Sequence, residues 1–139
     1  MIVQDIYLPK YDWQIRVYYA TTEYFISNVL IDLIDIDCPE DIYFEFKTLM
    51  ESKEPNVGFT YTNDMLKCSI LFIGITTSAD EFQSTYDHEK GHLAMHICLA
   101  EDINPFSEEY QYLCGKVGKE MFKEAQPFLC EHCRARRLY

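Results

Sequence analysis

The chain has 139 residues, 12 basic against 23 acidic side chains, and a formal net charge of −11. That length suits one domain with its own core, and a 48% hydrophobic composition with eleven Tyr and nine Phe excludes disorder and predicts an aromatic-rich interior. So acidic a body excludes strong attraction to nucleic-acid or membrane phosphates over most of its surface.

Several further classes are set aside by pattern. No stretch reaches the roughly eighteen apolar residues of a membrane span. Met1 to Lys10 lacks a basic segment followed by an apolar one, so it does not read as a signal peptide. A cytoplasmic setting is expected, with Cys38, Cys68, Cys98, Cys114, Cys130 and Cys133 as free thiols, most of them small buried apolar residues.

Trp13-Gln14-Ile15-Arg16-Val17-Tyr18-Tyr19 is rich in β-branched and aromatic residues and reads as the first strand. Thr21-Thr22-Glu23 offers a cap. Phe25, Val29, Leu30, Leu33 and Ile36 then recur near helical spacing and predict a helix over 24–36. Cys38-Pro39-Glu40-Asp41 turns into a second helix over 39–52, with Pro39 at its first position. Glu54-Pro55-Asn56-Val57-Gly58 breaks it. Phe59 to Thr62 and Lys67 to Ile75 flank Asn63-Asp64 and predict an antiparallel hairpin. Thr77-Ser78-Ala79-Asp80-Glu81 opens a helix that runs to about Ala100. Ser107-Glu108-Glu109 caps the last main helix, from Glu108 to about Lys123. On it, Gly115 and Gly118 would let a neighbouring helix approach closely. No repeat, low-complexity tract or linker interrupts the chain.

The helix over 77–100 carries Tyr86-Asp87-His88-Glu89-Lys90-Gly91-His92, an H-E-x-x-H motif. On a helix, His88 and His92 stand one turn apart on one face, so both imidazoles can reach one ion. Glu89 lies about 100° around from His88, placed to touch a water on that ion without ligating it. Two histidines and a carboxylate favour zinc, one ion per chain. A catalytic zinc needs a third protein ligand. His96, one turn beyond His92, is about 6 Å further along the helix, too far for a shared ion, and reads as a supporting or core residue. Glu108 and Glu109 open the next helix, and a helix hairpin would return them beside the first.

This layout resembles the gluzincins, the thermolysin-like clan of metallopeptidases, whose third ligand is a glutamate on the helix after H-E-x-x-H. The chain is more closely similar to small zincin-like proteins of gut Bacteroidales bacteria, their phages and mobile elements. The shared pattern is G-x-T-Y-[ST]-N, a hydrophobic strand, T-x-x-H-E-x-x-H, then E-E-x-x-Y-L-x-G. Here these are Gly58 to Asn63, Lys67 to Ile75, Thr85 to His92 and Glu108 to Gly115.

The resemblance implies an α+β, minimal zincin-like fold: a small antiparallel or mixed sheet packed on helices, with the H-E-x-x-H helix followed by a glutamate-bearing one. It implies one zincin-like domain over 1–129 and a tail over 130–139. It places the third ligand on Glu109, with Glu108 as the alternative, and Lys67 to Ile75 as the edge strand beside the metal cleft. Where the family pattern has a supporting carboxylate four residues on, this chain has Leu113. Asp87, Glu108 or Tyr112 would supply that support, and Tyr86, His96, Tyr110 or Tyr112 would steady an oxyanion.

The tail holds Cys130-Glu131-His132-Cys133, a single C-x-x-C that reads as free thiols, as a second metal site completed by Cys114 or His132, or as a redox pair. Arg134, Arg136 and Arg137 follow and read as a solubilising end.

Three functions compete. The first is a zinc metallopeptidase that hydrolyses peptide bonds through a metal-activated water with Glu89 as general base. The second is a catalytically inactive zincin-fold structural or interaction protein of a phage or mobile element, carried on the virion if phage-encoded. The third is a nucleic-acid factor that uses the arginine tail. The partner is accordingly a peptide, a protein substrate or another protein, with no membrane; an oligomer would complete the cleft that so short a chain leaves open.

Overall fold

The computed structural model describes residues 1–138; Tyr139, the end of the expected tail, lies outside them. The order is β1 (Ile2–Leu8), β2 (Trp13–Thr21), α1 (Ile26–Asp35), α2 (Glu40–Glu51), β3 (Gly58–Asn63), β4 (Cys68–Gly74), α3 (Ala79–Ala100), α4 (Glu108–Ala125) and α5 (Glu131–Leu138). Among the described residues no helix is long and apolar enough to cross a membrane.

The four strands form one mixed sheet in the order β1-β2-β4-β3. Two antiparallel hairpins, β1–β2 and β3–β4, are joined side by side through a parallel β2–β4 pairing. The class is α+β, with helices on both faces. Period-two alternation decides which face each residue serves. Trp13, Ile15, Val17 and Tyr19 of β2, with Leu71 and Ile73 of β4, pack under α3 and α4. Tyr18 of β2, Ile70 and Phe72 of β4 and Tyr61 of β3 pack under α1 and α2. Both cores are aromatic, as the composition implies: Trp13, Tyr19, Phe46, Phe72, Phe82 and Phe128 are among the largest fully buried side chains.

The hairpin over 58–74 and the main helices fall where the sequence places them, and four expectations need correction. Trp13 begins the second strand, because Ile2–Leu8 precedes it as β1. The helix expected from Tyr24 starts at Ile26 after a single 3₁₀ turn, for Thr22 makes no side-chain cap bond. Pro39 is the N-cap of α2 rather than its first residue. Of the six free cysteines only Cys98 is buried, while Cys130 and Cys133 are exposed.

The C-terminal segment is helical and tied down. The Glu131 carboxylate accepts the Ala79 N–H at 2.5 Å, and the Arg134 guanidinium donates to the Thr76 carbonyl oxygen. Arg134 is therefore committed to the fold and is not part of a free basic end.

Two serine caps and one asparagine position α3 and its neighbours. The Ser78 hydroxyl accepts the Glu81 N–H at the start of α3, and the Ser107 hydroxyl accepts the Tyr110 N–H at the start of α4. Asn56, at a left-handed φ of 64°, welds the approach to β3 to both neighbours. Its N–H donates to the Ile75 carbonyl, its side chain accepts the Thr77 N–H, and its carbonyl accepts the Thr85 hydroxyl. Asn tolerates that conformation better than most residues.

Candidate metal and peptide site

The sequence G-F-T-Y-T-N of β3 separates its two faces. Phe59 and Tyr61 turn toward the α1–α2 core. Gly58, Thr60 and Thr62 turn toward α3. The glycine is required there: a Cβ on Gly58 would lie 2.5 Å from Glu89 Cγ and 2.9 Å from both Glu89 Oε1 and Thr85 Cγ2. The room it leaves is filled by the Glu89 side chain, 5% exposed, whose Oε2 accepts the Thr60 hydroxyl at 2.5 Å. A buried carboxylate needs such a donor, because an unpaired one is costly to desolvate.

His88 and His92 stand on the exposed side of the same helix with ring centroids 4.6 Å apart and their Nε2 atoms 3.0 Å apart. Within the pair one Nε2–H donates to the other nitrogen. Two zinc ligands at about 2.1 Å in tetrahedral geometry would be about 3.4 Å apart, so the pair is poised close to a chelating geometry.

His96, half-buried, continues the row. Its Nδ1 is 2.9 Å from the Thr62 hydroxyl. Burial first, then neighbouring His92, holds its imidazole pKa below the usual histidine value.

A cleft of about 500 Å³ runs beside these residues, lined by Ile42 and Glu45 of α2, Thr60 and Thr62 of β3, and His92 and His96 of α3. Its floor is the outer edge of β3, which no other strand among the described residues pairs. A second recess at the strand's start is lined by Gly58, Thr85, His88 and Glu89. The expected edge strand, Lys67 to Ile75, is corrected here. As β4 it is paired on both sides, by β2 and β3, and it is β3 that borders the site.

Glu109 does not join the histidines. Its Oε1 meets the Lys10 ammonium at 3.3 Å and accepts the Tyr11 hydroxyl at 3.2 Å, beside the β1–β2 turn. The helix hairpin forms as expected, but its register and its face both oppose ligation. Tyr86 donates to the Gly118 carbonyl, so the His88 level of α3 faces the middle of α4. Glu109 lies near the level of Cys98, whose thiol is pushed up by burial first and then by Cys114 and Glu109. Ten residues separate His88 from Cys98, about 15 Å along the axis. The α4-facing side of α3, marked by buried Leu93 and Ile97, is also turned about 140° from the histidine face.

The supporting candidates scatter too. Glu108 is exposed. Asp87 pairs with Lys90 at 3.1 Å. Tyr112 is 74% exposed and borders a recess with Lys10 and Tyr11. Leu113 is core. Tyr86 stacks on Phe82 under the Lys90 ammonium, away from the cleft, and Tyr110 lies beside Cys114. Gly118 faces Lys90 of α3, whereas Gly115 faces open space.

Cys130, the residue before α5, has its thiol pKa lowered by the backbone N–H groups of Cys133 and His132 and by the Cys133 thiol. Cys114 sits on α4 beside Tyr110 and adds no ligand there. Among the described residues, no group of three or more His, Cys, Asp or Glu side chains is placed to hold a metal ion.

Sequence reasoning missed Thr60, Thr62, Ser69 and the cleft-lining Glu45. The signal for the first two was present in the alternation of G-F-T-Y-T-N, which puts small hydroxylated residues on one face.

Fold and site together define a class: an α+β domain with an H-E-x-x-H helix laid against a free sheet edge. No family model, curated protein or solved structure matches the chain.

Proposed function

We propose that this protein is a zinc-dependent metallopeptidase that takes an extended peptide along β3. The observation that supports this reading most is the convergence of His88 and His92 Nε2 to 3.0 Å next to a buried Glu89, with His92 and Glu89 lining a cleft floored by the outer edge of β3. The side chains present fit two of the three protein ligands of a catalytic zinc; the Glu109 position does not fit the third. His88 and His92 would hold the ion, which when bound supplies Lewis acidity toward a carbonyl and a more acidic water. The chain's own part is separate. Thr60 orients the Glu89 carboxylate, and Glu89 accepts a proton from water in the cleft and returns it to the leaving amine. The β3 edge aligns the substrate backbone by strand addition.

A second reading is favoured by the position of Glu109: an interaction protein that binds peptides at the same edge without cleaving them, using the histidine pair only to carry metal. Zinc titration by calorimetry, followed by a peptide-library cleavage assay on wild type and Glu89→Gln, separates the two. One zinc per chain, lost in His88→Ala and His92→Ala, with cleavage lost in Glu89→Gln, supports the peptidase. Zinc uptake without cleavage supports the interaction protein. Absence of zinc uptake at these histidines defeats the peptidase reading.

A further inference from the structure

A line of hydrogen bonds crosses the sheet beneath the cleft. The Trp13 indole N–H on β2 donates to Ser69 Oγ on β4 at 2.9 Å; Ser69 Oγ is 2.8 Å from Thr62 Oγ1 on β3, and Thr62 Oγ1 is 2.9 Å from His96 Nδ1 on α3. We infer that this line runs one way, fixes His96 in the tautomer protonated on Nε2, and makes that N–H the donor that binds a backbone carbonyl of an extended peptide on β3. The inference rests, for its peptide, on the strand-addition reading above.

The direction follows from one atom. An indole nitrogen can only donate, so Ser69 Oγ accepts from Trp13. Ser69 is 2% exposed, and the neighbour that can take its proton is Thr62 Oγ1. With that lone pair used, the Thr62 proton points to the next atom in the line, His96 Nδ1. Nδ1 must then present a lone pair, and in a neutral imidazole the proton sits on the other nitrogen. The tautomer at the cleft is thus set by a tryptophan two strands away, on the same face of the sheet.

The outward half of the ring is free to work. Among the described residues, no hydrogen bond is made to His96 Nε2, and His96 lines the cleft with His92 and Thr60. Among the described residues the other walls offer Glu45, Asp64, Tyr61, Ile42, Phe59 and Leu99, with no lysine or arginine. His96 adds a side-chain donor beside the backbone N–H groups of the β3 edge, and acidic and apolar walls suit a peptide with basic and apolar side chains.

The experiment is a long-range ¹H–¹⁵N correlation on histidine-labelled, metal-free protein at a pH where the rings are neutral. His96 Nε2 is expected to carry the proton and Nδ1 to be the bare nitrogen; the reverse assignment overturns the inference. Ser69→Ala removes the step that orients Thr62, and the His96 signals should move toward a mixture of tautomers. An unchanged single tautomer overturns the one-way line. An end-blocked Ala-Leu-Lys-Leu-Ala peptide is then titrated in. The His96 Nε2–H resonance should move downfield, and His96→Ala should weaken binding about tenfold, with its melting curve as the folding control. Binding that leaves this resonance and affinity untouched, or no binding at all, overturns the donor role. Because all of this is done without zinc, failure of the metal reading is scored separately by zinc uptake at His88 and His92.

Discussion

Replacing Gly58 by Ala tests the contact on which the site is built. The added Cβ would sit 2.5 Å from Glu89 Cγ and 2.9 Å from Thr85 Cγ2, well inside van der Waals contact. Neither neighbour yields easily. Thr85 is β-branched and 8% exposed on α3, and the Glu89 carboxylate is held by Thr60. Overpacking of this kind costs about 1–3 kcal/mol, offset by about 0.4–1 kcal/mol from the stiffer unfolded chain. A net loss of about 1–2 kcal/mol corresponds to a fall in Tm of roughly 3–8 °C for a domain of this size. The assay is thermal unfolding of wild type, Gly58→Ala, Glu89→Ala and the double variant. Removing the Glu89 side chain relieves two of the three contacts, so the double variant should recover about 1 kcal/mol relative to additivity. An unchanged or higher Tm in Gly58→Ala would show that β3 and α3 are not in this close register, and the placement of Glu89 beneath the strand would fail with it.

Other outcomes follow from the same geometry. Glu109→Gln removes an exposed pair with Lys10, so stability should change by less than about 1 kcal/mol, and zinc uptake by calorimetry should match wild type. A loss of uptake would restore Glu109 as a ligand. Thr60→Val leaves the buried Glu89 carboxylate without its hydroxyl donor and should cost about 1.5–3 kcal/mol in denaturant unfolding, whereas Thr60→Ser should be near wild type. Burial, and secondarily Asp87, push the Tyr86 phenol from its usual 10.0 up to about 12. The unfolded chain releases that proton first, so the stability Tyr86 contributes is whole below pH 10 and is lost as pH rises toward 12. Tyr86→Phe, which gives up only a 3.4 Å bond to Gly118, should flatten that part of an alkaline unfolding series.

The sequence exposed the helices and the β3–β4 hairpin because their signals are local. Ser78 and Ser107 cap, Pro55 and Asn56 break, and the apolar run before Gly74 marks a buried strand. It also placed His88, Glu89 and His92 on one helix correctly, since i, i+4 spacing fixes a shared face. β1 is legible too, in the alternation of Ile2, Gln4, Ile6 and Leu8 toward the sheet's packed side, but polar Gln4 and outward-facing Val3 and Tyr7 make its signal weaker than that of Trp13 to Tyr19. What could not be read was register between elements. Whether Glu109 returns to His92 or stops level with Cys98 depends on where the loop over 101–107 closes, and that is set by buried Ile103 donating its N–H to the Cys98 carbonyl. Likewise, nothing in Lys67 to Ile75 says that it will be flanked on both sides, because its second partner, β2, lies far earlier in the chain.

That distant partnership has a kinetic consequence. Each hairpin pairs neighbours in sequence and can form early, but the β2–β4 seam must close across α1, α2 and β3, and such non-local pairing is slow. The Trp13–Ser69 bond spans this seam. The folding chain can therefore hold a formed α3 and a formed β3–β4 hairpin while the ring of His96 still lacks its fixed proton, and the site acquires its final hydrogen-bond direction only as the two halves of the sheet lock together.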